Sequence, residues 1–252
     1  MLVFLTVLFL LAGNSDALQC LTNCSLGKYR FNTPLVADNK ECQQRVSASK
    51  CSVDVEFAYH SKTYEVTHEH NSNSRDFIYI TMQPTLSYDI RYACSENTNC
   101  ALSYAQNRIT TMTSQYYDVY RLHAQLAPLI ENSSTSNSIQ CYNMKNAIVL
   151  CAPGEVCNVD YNPRDHRARA RGCKYLSMPV VMVYDSETYT SFDITCNRNL
   201  CNGDITLSEV KRILAEHGLT DSSGRRIAAG TREMVSVFLL LVTSIFVLSF
   251  YF

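Results

Sequence analysis

Residues 196–202 read Cys196-Asn197-Arg198-Asn199-Leu200-Cys201-Asn202, a C-x4-C-N closure that ends the cysteine-bearing part of the chain. An earlier close pair, Cys94 and Cys100, has nearly the same spacing. Working back from each pair, the cysteines of this 252-residue chain divide six and six. Cys20, Cys24, Cys42, Cys51, Cys94 and Cys100 form the first set. Cys141, Cys151, Cys157, Cys173, Cys196 and Cys201 form the second. Twelve cysteines at this density indicate metal sites in the cytosol and disulfides in the secretory path. Repetition of the pattern after about 110 residues indicates paired units of one kind, not a solenoid.

The two ends choose the compartment. Residues 1–12 are almost entirely apolar, and Ser15-Asp16-Ala17 supplies small residues before Leu18. This reads as a secretory signal peptide over 1–17, without a basic n-region. Residues 234–252 carry no charge and would span roughly 28 Å as a helix. No Lys or Arg follows them, although one normally holds the cytoplasmic side of a membrane span. Before them stand the small residues Ser222-Ser223-Gly224 and a mostly polar stretch, Arg225 to Glu233. Small triplet, spacer (219–233 in all) and apolar tail match the signal for a glycosylphosphatidylinositol (GPI) anchor. Ser222 is the expected attachment residue, with Ser223 and Asp221 as alternatives. A single C-terminal transmembrane helix is the alternative.

Between the cysteines the pattern is that of strands. Val53, Val55 and Phe57 alternate with polar residues, and Tyr64–Thr67, Phe77–Ile80 and Leu86–Tyr92 follow. In the second set, Val180–Tyr184 and Tyr189–Ile194 flank the polar Asp185-Ser186-Glu187. Short β-rich runs with polar turns predict antiparallel hairpins. Each set is followed by a helical pattern. Ile109, Met112, Tyr116, Val119, Leu126 and Ile130 suggest one helical face over 104–138, ending in the polar linker 131–138. Thr206-Leu207-Ser208-Glu209 spells a capping box for an amphipathic helix in 204–218, with Gly218 as its stop.

Leu18-Gln19-Cys20, Gln140-Cys141-Tyr142 and the closing Cys196-x4-Cys201-Asn202 resemble the Ly-six/urokinase-receptor family of three-finger domains. The resemblance covers about 140–203 well and 18–101 more loosely. It implies a mainly β fold of two tandem, small, disulfide-rich three-finger-like modules, 18–103 and 139–203, each followed by a short helical segment. It also implies the pairing Cys20–Cys51, Cys24–Cys42, Cys94–Cys100, Cys141–Cys157, Cys151–Cys173 and Cys196–Cys201. Thr195 and Ala93 stand where the family has an extra cysteine, and Ala101 replaces the terminal Asn in the first half. Modules of this size would bury little apolar surface, so bridges worth about 2–4 kcal/mol each would decide folding.

Candidate chemistry is sparse. His60, His68 and His70 cluster in sequence, but no ligand set accompanies them, so neither a metal nor another cofactor is expected. No nucleophile, phosphate or metalloprotease motif appears, and the expectation is no enzyme. The net charge of −1 argues against nucleic acid. Arg167, Arg169 and Arg171 alternate, which in a regular strand would align them as a binding stripe; the bland reading is a solvated edge strand. Asn132 and Asn23 are glycosylation sequons. The expected function is a GPI-anchored glycoprotein on the extracellular face of the plasma membrane. It would bind an unidentified extracellular or cell-surface protein and modulate a receptor or channel. An adhesion or surface-coat protein is the rival.

Overall fold

Val53, Val55 and Phe57 all point to one side of a strand and are completely buried, while Asp54 and Glu56 between them point to the other. The same two-residue period recurs across the sheet, as expected for strands with one covered face. The computed structural model describes residues 17–22, 24–36, 42, 44–132, 138–175 and 178–227. The first half contains β1 (Leu18–Leu21), β2 (Cys24–Arg30), β3 (Arg45–Ala48), β4 (Cys51–Ala58), β5 (Thr63–His70), β6 (Arg75–Thr81) and β7 (Thr85–Cys94). Helices α1 (Cys100–Ser114) and α2 (Val119–Ile130) follow. The second half contains β8 (Gln140–Tyr142), β9 (Ile148–Leu150), β10 (Glu155–Asn162), β11 (Arg167–Tyr175), β12 (Val180–Ser186), β13 (Thr190–Cys196) and α3 (Asp204–Glu216).

The fold is mainly β and disulfide-rich. One antiparallel sheet runs β11-β10-β13-β12-β6-β7-β4-β5-β2, and two small hairpin sheets, β1-β3 and β8-β9, lie beside it. The halves meet at β6 and β12, which pair along their whole length from Thr81↔Val180 to Arg75↔Ser186. Ile78 lies opposite Val183, and Ile80 opposite Val181, all four buried. The three helices cover one face of the sheet. α1 lies on β4 and β7, while α2 contacts both α3 and β13. The other face carries charged and aromatic side chains, and Arg91 clamps both oxygens of Asp54 there.

The six bridges join Cys20–Cys51, Cys24–Cys42, Cys94–Cys100, Cys141–Cys157, Cys151–Cys173 and Cys196–Cys201. These are the pairs that the family pairing gives, and none crosses between halves. The division into two units is therefore visible in the bridges but not in the sheet, where the hairpins lie side by side instead of projecting from two separate knots. The expectation of little buried surface is corrected for the same reason. Phe57, Ile78, Leu122, Leu126, Phe192 and Ile194 belong to one continuous core that draws on both halves. Pooling two half-sheets under shared helices raises the buried fraction above what either half would reach alone.

The helical segments differ from expectation in detail. The single face read over Ile109 to Ile130 belongs to two helices, broken at 115–118, where Asp118 caps α2 by accepting from the Arg121 N–H. The break leaves Tyr116 exposed. The capping box does not form: α3 starts at Asp204 with Gly203 as its cap, and Glu209 instead pairs with Arg212 one turn on. Leu207, Val210, Ile213 and Leu214 do share the buried face.

Candidate functional site

The arginine stripe on β11 is broken by the backbone. Register along β10 and β11 shifts between Asp160 and Tyr161, leaving Arg169 as an extra residue on β11. Arg167 then lies opposite Asn162 and Arg171 opposite Val159. Positions 162 and 159 point to opposite faces, so Arg167 and Arg171 do as well. Arg167 is exposed near Asp165. Arg169 stacks 4.2 Å from the Tyr189 ring centroid. It thereby closes an aromatic row of Tyr79, Phe77, Tyr184 and Tyr189 on the open face of the sheet.

Arg171 alone enters a depression. A groove of about 540 Å³ lies between the β8–β9 hairpin and the start of α3, lined by Tyr142, Asn146, Arg171, Leu200, Asp204 and Ile205 among others. The Arg171 side chain is only 6% exposed. Its Nη1 donates to Asn146 Oδ1 at 2.5 Å, and its Nη2 pairs with Asp204. Its Nε has no hydrogen-bond partner among the described residues. Ile205, in the groove lining, is 89% exposed, and the hairpin beside the groove exposes Leu150, at 68%, together with Ile148 and Met144. Tyr142, Ile148, Gln140 and Leu150 share one face of the hairpin by register.

Asn202, the last residue of the C-x4-C-N closure, holds this hairpin in place. It is fully buried. Its Oδ1 accepts from the Tyr142 N–H at 2.9 Å. Its Nδ2 donates to the Tyr142 carbonyl at 2.8 Å and to the Asn158 carbonyl at 3.0 Å. The Cys196–Cys201 and Cys141–Cys157 bridges close around it.

The remaining sequence-marked residues lie apart from the groove. Asn132 follows α2, half-buried, with its N–H donating to Asn197 Oδ1 at 2.7 Å. Asn23, residues 1–16 of the expected signal peptide and the apolar run 234–252 lie outside the described residues. Ser222 sits in a turn after α3. His68 is buried with its pKa lowered by desolvation, and His70 bonds Thr22 Oγ1 at 2.7 Å. The clustered cysteines near Cys151 and Cys100 are bridge sulfurs, so they offer no thiolates.

Sequence reasoning misses a buried polar cluster under the helices. Asp76 shares its strand face with Ile78 and Ile80, and an acid on an apolar face was the available signal. It pairs with Arg226, which also donates to the Tyr88 hydroxyl. Burial is the main influence on Asp76, raising its pKa to about 6 against the pull of Arg226. On the open face, Asp89 is likewise raised to about 6, first by burial and then by Asp54, with Arg75 opposing.

No family model matches the chain, and no curated protein is detectably similar to it. No helix among the described residues is long and apolar enough to cross a membrane.

Proposed function

We propose that this protein is a GPI-anchored, non-catalytic protein-binding module. In this reading it acts at the extracellular face of the plasma membrane, as its resemblance to the Ly-six/urokinase-receptor family suggests. The bound element is an extended segment of another extracellular or cell-surface protein, seated in the groove between the β8–β9 hairpin and α3. One observation carries this reading: the exposed Ile205 lines, with Tyr142 and Leu200, a groove whose floor holds the buried Arg171, and the β8–β9 hairpin that borders it exposes Met144, Ile148 and Leu150. Clustered exposed apolar side chains with a polar anchor fit a binding surface better than a solvated one. The groove side chains offer apolar contact and oriented hydrogen bonds, which bind a chain without transforming it. The twelve cysteines, all bridged, fit an oxidising compartment.

The test uses the soluble ectodomain ending at Ile227, tetramerised and applied to cells of the source organism. Ile148→Asp with Ile205→Asp is expected to lower cell binding at least about tenfold while the melting temperature is unchanged. Equal binding by the double variant overturns the groove. An Arg167→Glu variant on the opposite sheet face is expected to bind as the parent does.

A further inference from the structure

The chain after α3 folds back onto the first half. Leu219 and Thr220 are buried, and Thr220 forms an antiparallel bridge with Arg226. Between them Asp221 Oδ1 accepts from the N–H groups of Ser223 and Arg225, both at 2.9 Å, and from the Ser223 hydroxyl at 2.7 Å. Gly224 has φ +91°, and a Cβ there would lie 2.9 Å from the Phe192 ring. The turn therefore packs directly on the core and needs glycine at that point.

Arg226 is the end of this clasp. Its side chain is 12% exposed and its partner Asp76 16%. It pairs with Asp76, donates to the Tyr88 hydroxyl and lies 5.5 Å from the Tyr88 ring centroid. Asp76 and Tyr88 belong to β6 and β7, so the last described segment is pinned to the opposite half of the chain. Removing it leaves a buried carboxylate whose other oxygen already has no partner. Removing one member of a buried pair is costly, because the remaining charge stays desolvated. Arg108, the other cation that pulls the Asp76 pKa down, has no partner at Nε or Nη2 among the described residues.

We propose that the mature protein keeps the chain through Arg226, so that lipid attachment takes place C-terminal to Arg226 and not at Ser222. The lipid rests on the GPI reading above; retention of Arg226 does not. Attachment breaks the peptide bond after the acceptor residue and joins its carbonyl to the ethanolamine amine of the glycolipid. The tail leaves with the proton on its new amino terminus. At Ser222 that step would discard Gly224 and Arg226 together. In sequence, the small residues Ala228-Ala229-Gly230 come directly after Ile227. With Ala228-Ala229-Gly230 as the small triplet, three residues, 231–233, remain before the apolar run, against a usual spacer of about 8–12.

The test is mass spectrometry of the C-terminal peptide, released after Glu216 from the membrane-bound protein of cells expressing the full chain. A glycolipid-bearing peptide that includes Arg226 is the expected result. A glycolipid on Asp221, Ser222 or Ser223 overturns the proposal. An unmodified peptide running into residues 234–252 overturns the lipid anchor and leaves the retention of Arg226 standing. In parallel, secreted chains ending at Ile227 and at Ser222 are compared. The shorter chain is expected to be secreted several-fold less and to melt at least about 5 °C lower. Equal yield and equal melting overturn the clasp.

Discussion

The side-chain amide of Asn202 engages both main-chain groups of Tyr142, accepting from its N–H at 2.9 Å and donating to its carbonyl at 2.8 Å. A neighbouring strand would make the same two bonds. Asn202 thus gives the short β8–β9 hairpin a fixed seat on β10, through its third bond to Asn158. The hairpin supplies Tyr142 and Asn146 to the groove, so the motif that closes the cysteine pattern also bears on the geometry of the candidate site.

Replacing Asn202 removes three hydrogen bonds, one buried and two part-buried, and leaves the Tyr142 N–H without its partner. Asn202→Ala is expected to cost roughly 2–4 kcal/mol. Asn202→Asp keeps the acceptor for the Tyr142 N–H but brings an acceptor against two carbonyls, so it is expected to restore little. Urea unfolding of the soluble ectodomain measures both.

Pairing of β6 with β12 makes the two halves one cooperative unit. Calorimetry of the ectodomain is expected to give a single transition with equal calorimetric and van't Hoff enthalpies. Ile78→Ala, at the seam opposite Val183, is expected to cost about 3 kcal/mol. Hydrogen exchange should then quicken in β4 and in β13 alike. Faster exchange confined to the first half would mean that the sheet is not shared energetically.

The bridges differ in the loops that they close. Cys20–Cys51 spans 31 residues and Cys196–Cys201 spans 5. In the chain-entropy model the longer loop restrains the unfolded state more, by about 1.5 kcal/mol. Replacing the Cys20–Cys51 pair by Ser is therefore expected to destabilise the ectodomain by about that much more than replacing Cys196–Cys201. Chemical unfolding of the two double variants checks the difference, and non-reducing peptide mapping checks that no bridge links the halves.

Asp89 gives a pH-dependent term with a defined sign. Its pKa is raised to about 6 in the native state, against about 3.9 when unfolded. Between about pH 4 and pH 6 the native state holds a proton that the unfolded chain has lost, so stability falls as pH rises through that window. Asp89→Asn removes this term. The variant is expected to gain on the parent from pH 4 to pH 7. Asp76 contributes in the same sense and His68, with its lowered pKa, in the opposite one. Both are present in parent and variant and cancel in the comparison. A constant difference in unfolding free energy between pH 4 and pH 7 would contradict the assignment.

Local pattern was enough to find the strands. Val53, Val55 and Phe57, or Val180 to Tyr184, announce a half-buried strand because side chains alternate with a period set by the backbone alone. The amphipathic face of α3 was legible for the same kind of reason. The arginine stripe was not, because alternation presumes an unbroken register and the bulge at Arg169 turns Arg167 and Arg171 to opposite faces. The capping box failed because Gly203, tied by its N–H to the Leu200 carbonyl beside the last bridge, caps a helix that starts at Asp204, two residues before Thr206.

The sequence by itself determined a disulfide-rich, mainly β chain with its cysteines divided six and six, since these follow from composition and short-range periodicity. Only the tertiary structure decided that the halves share one sheet, that Arg171 floors a groove and that Arg226 closes on Asp76. Each of these depends on groups far apart in sequence, with Asp76 and Arg226 150 residues apart. Their meeting is set by which faces the sheet and helices bury together, and no local pattern encodes that.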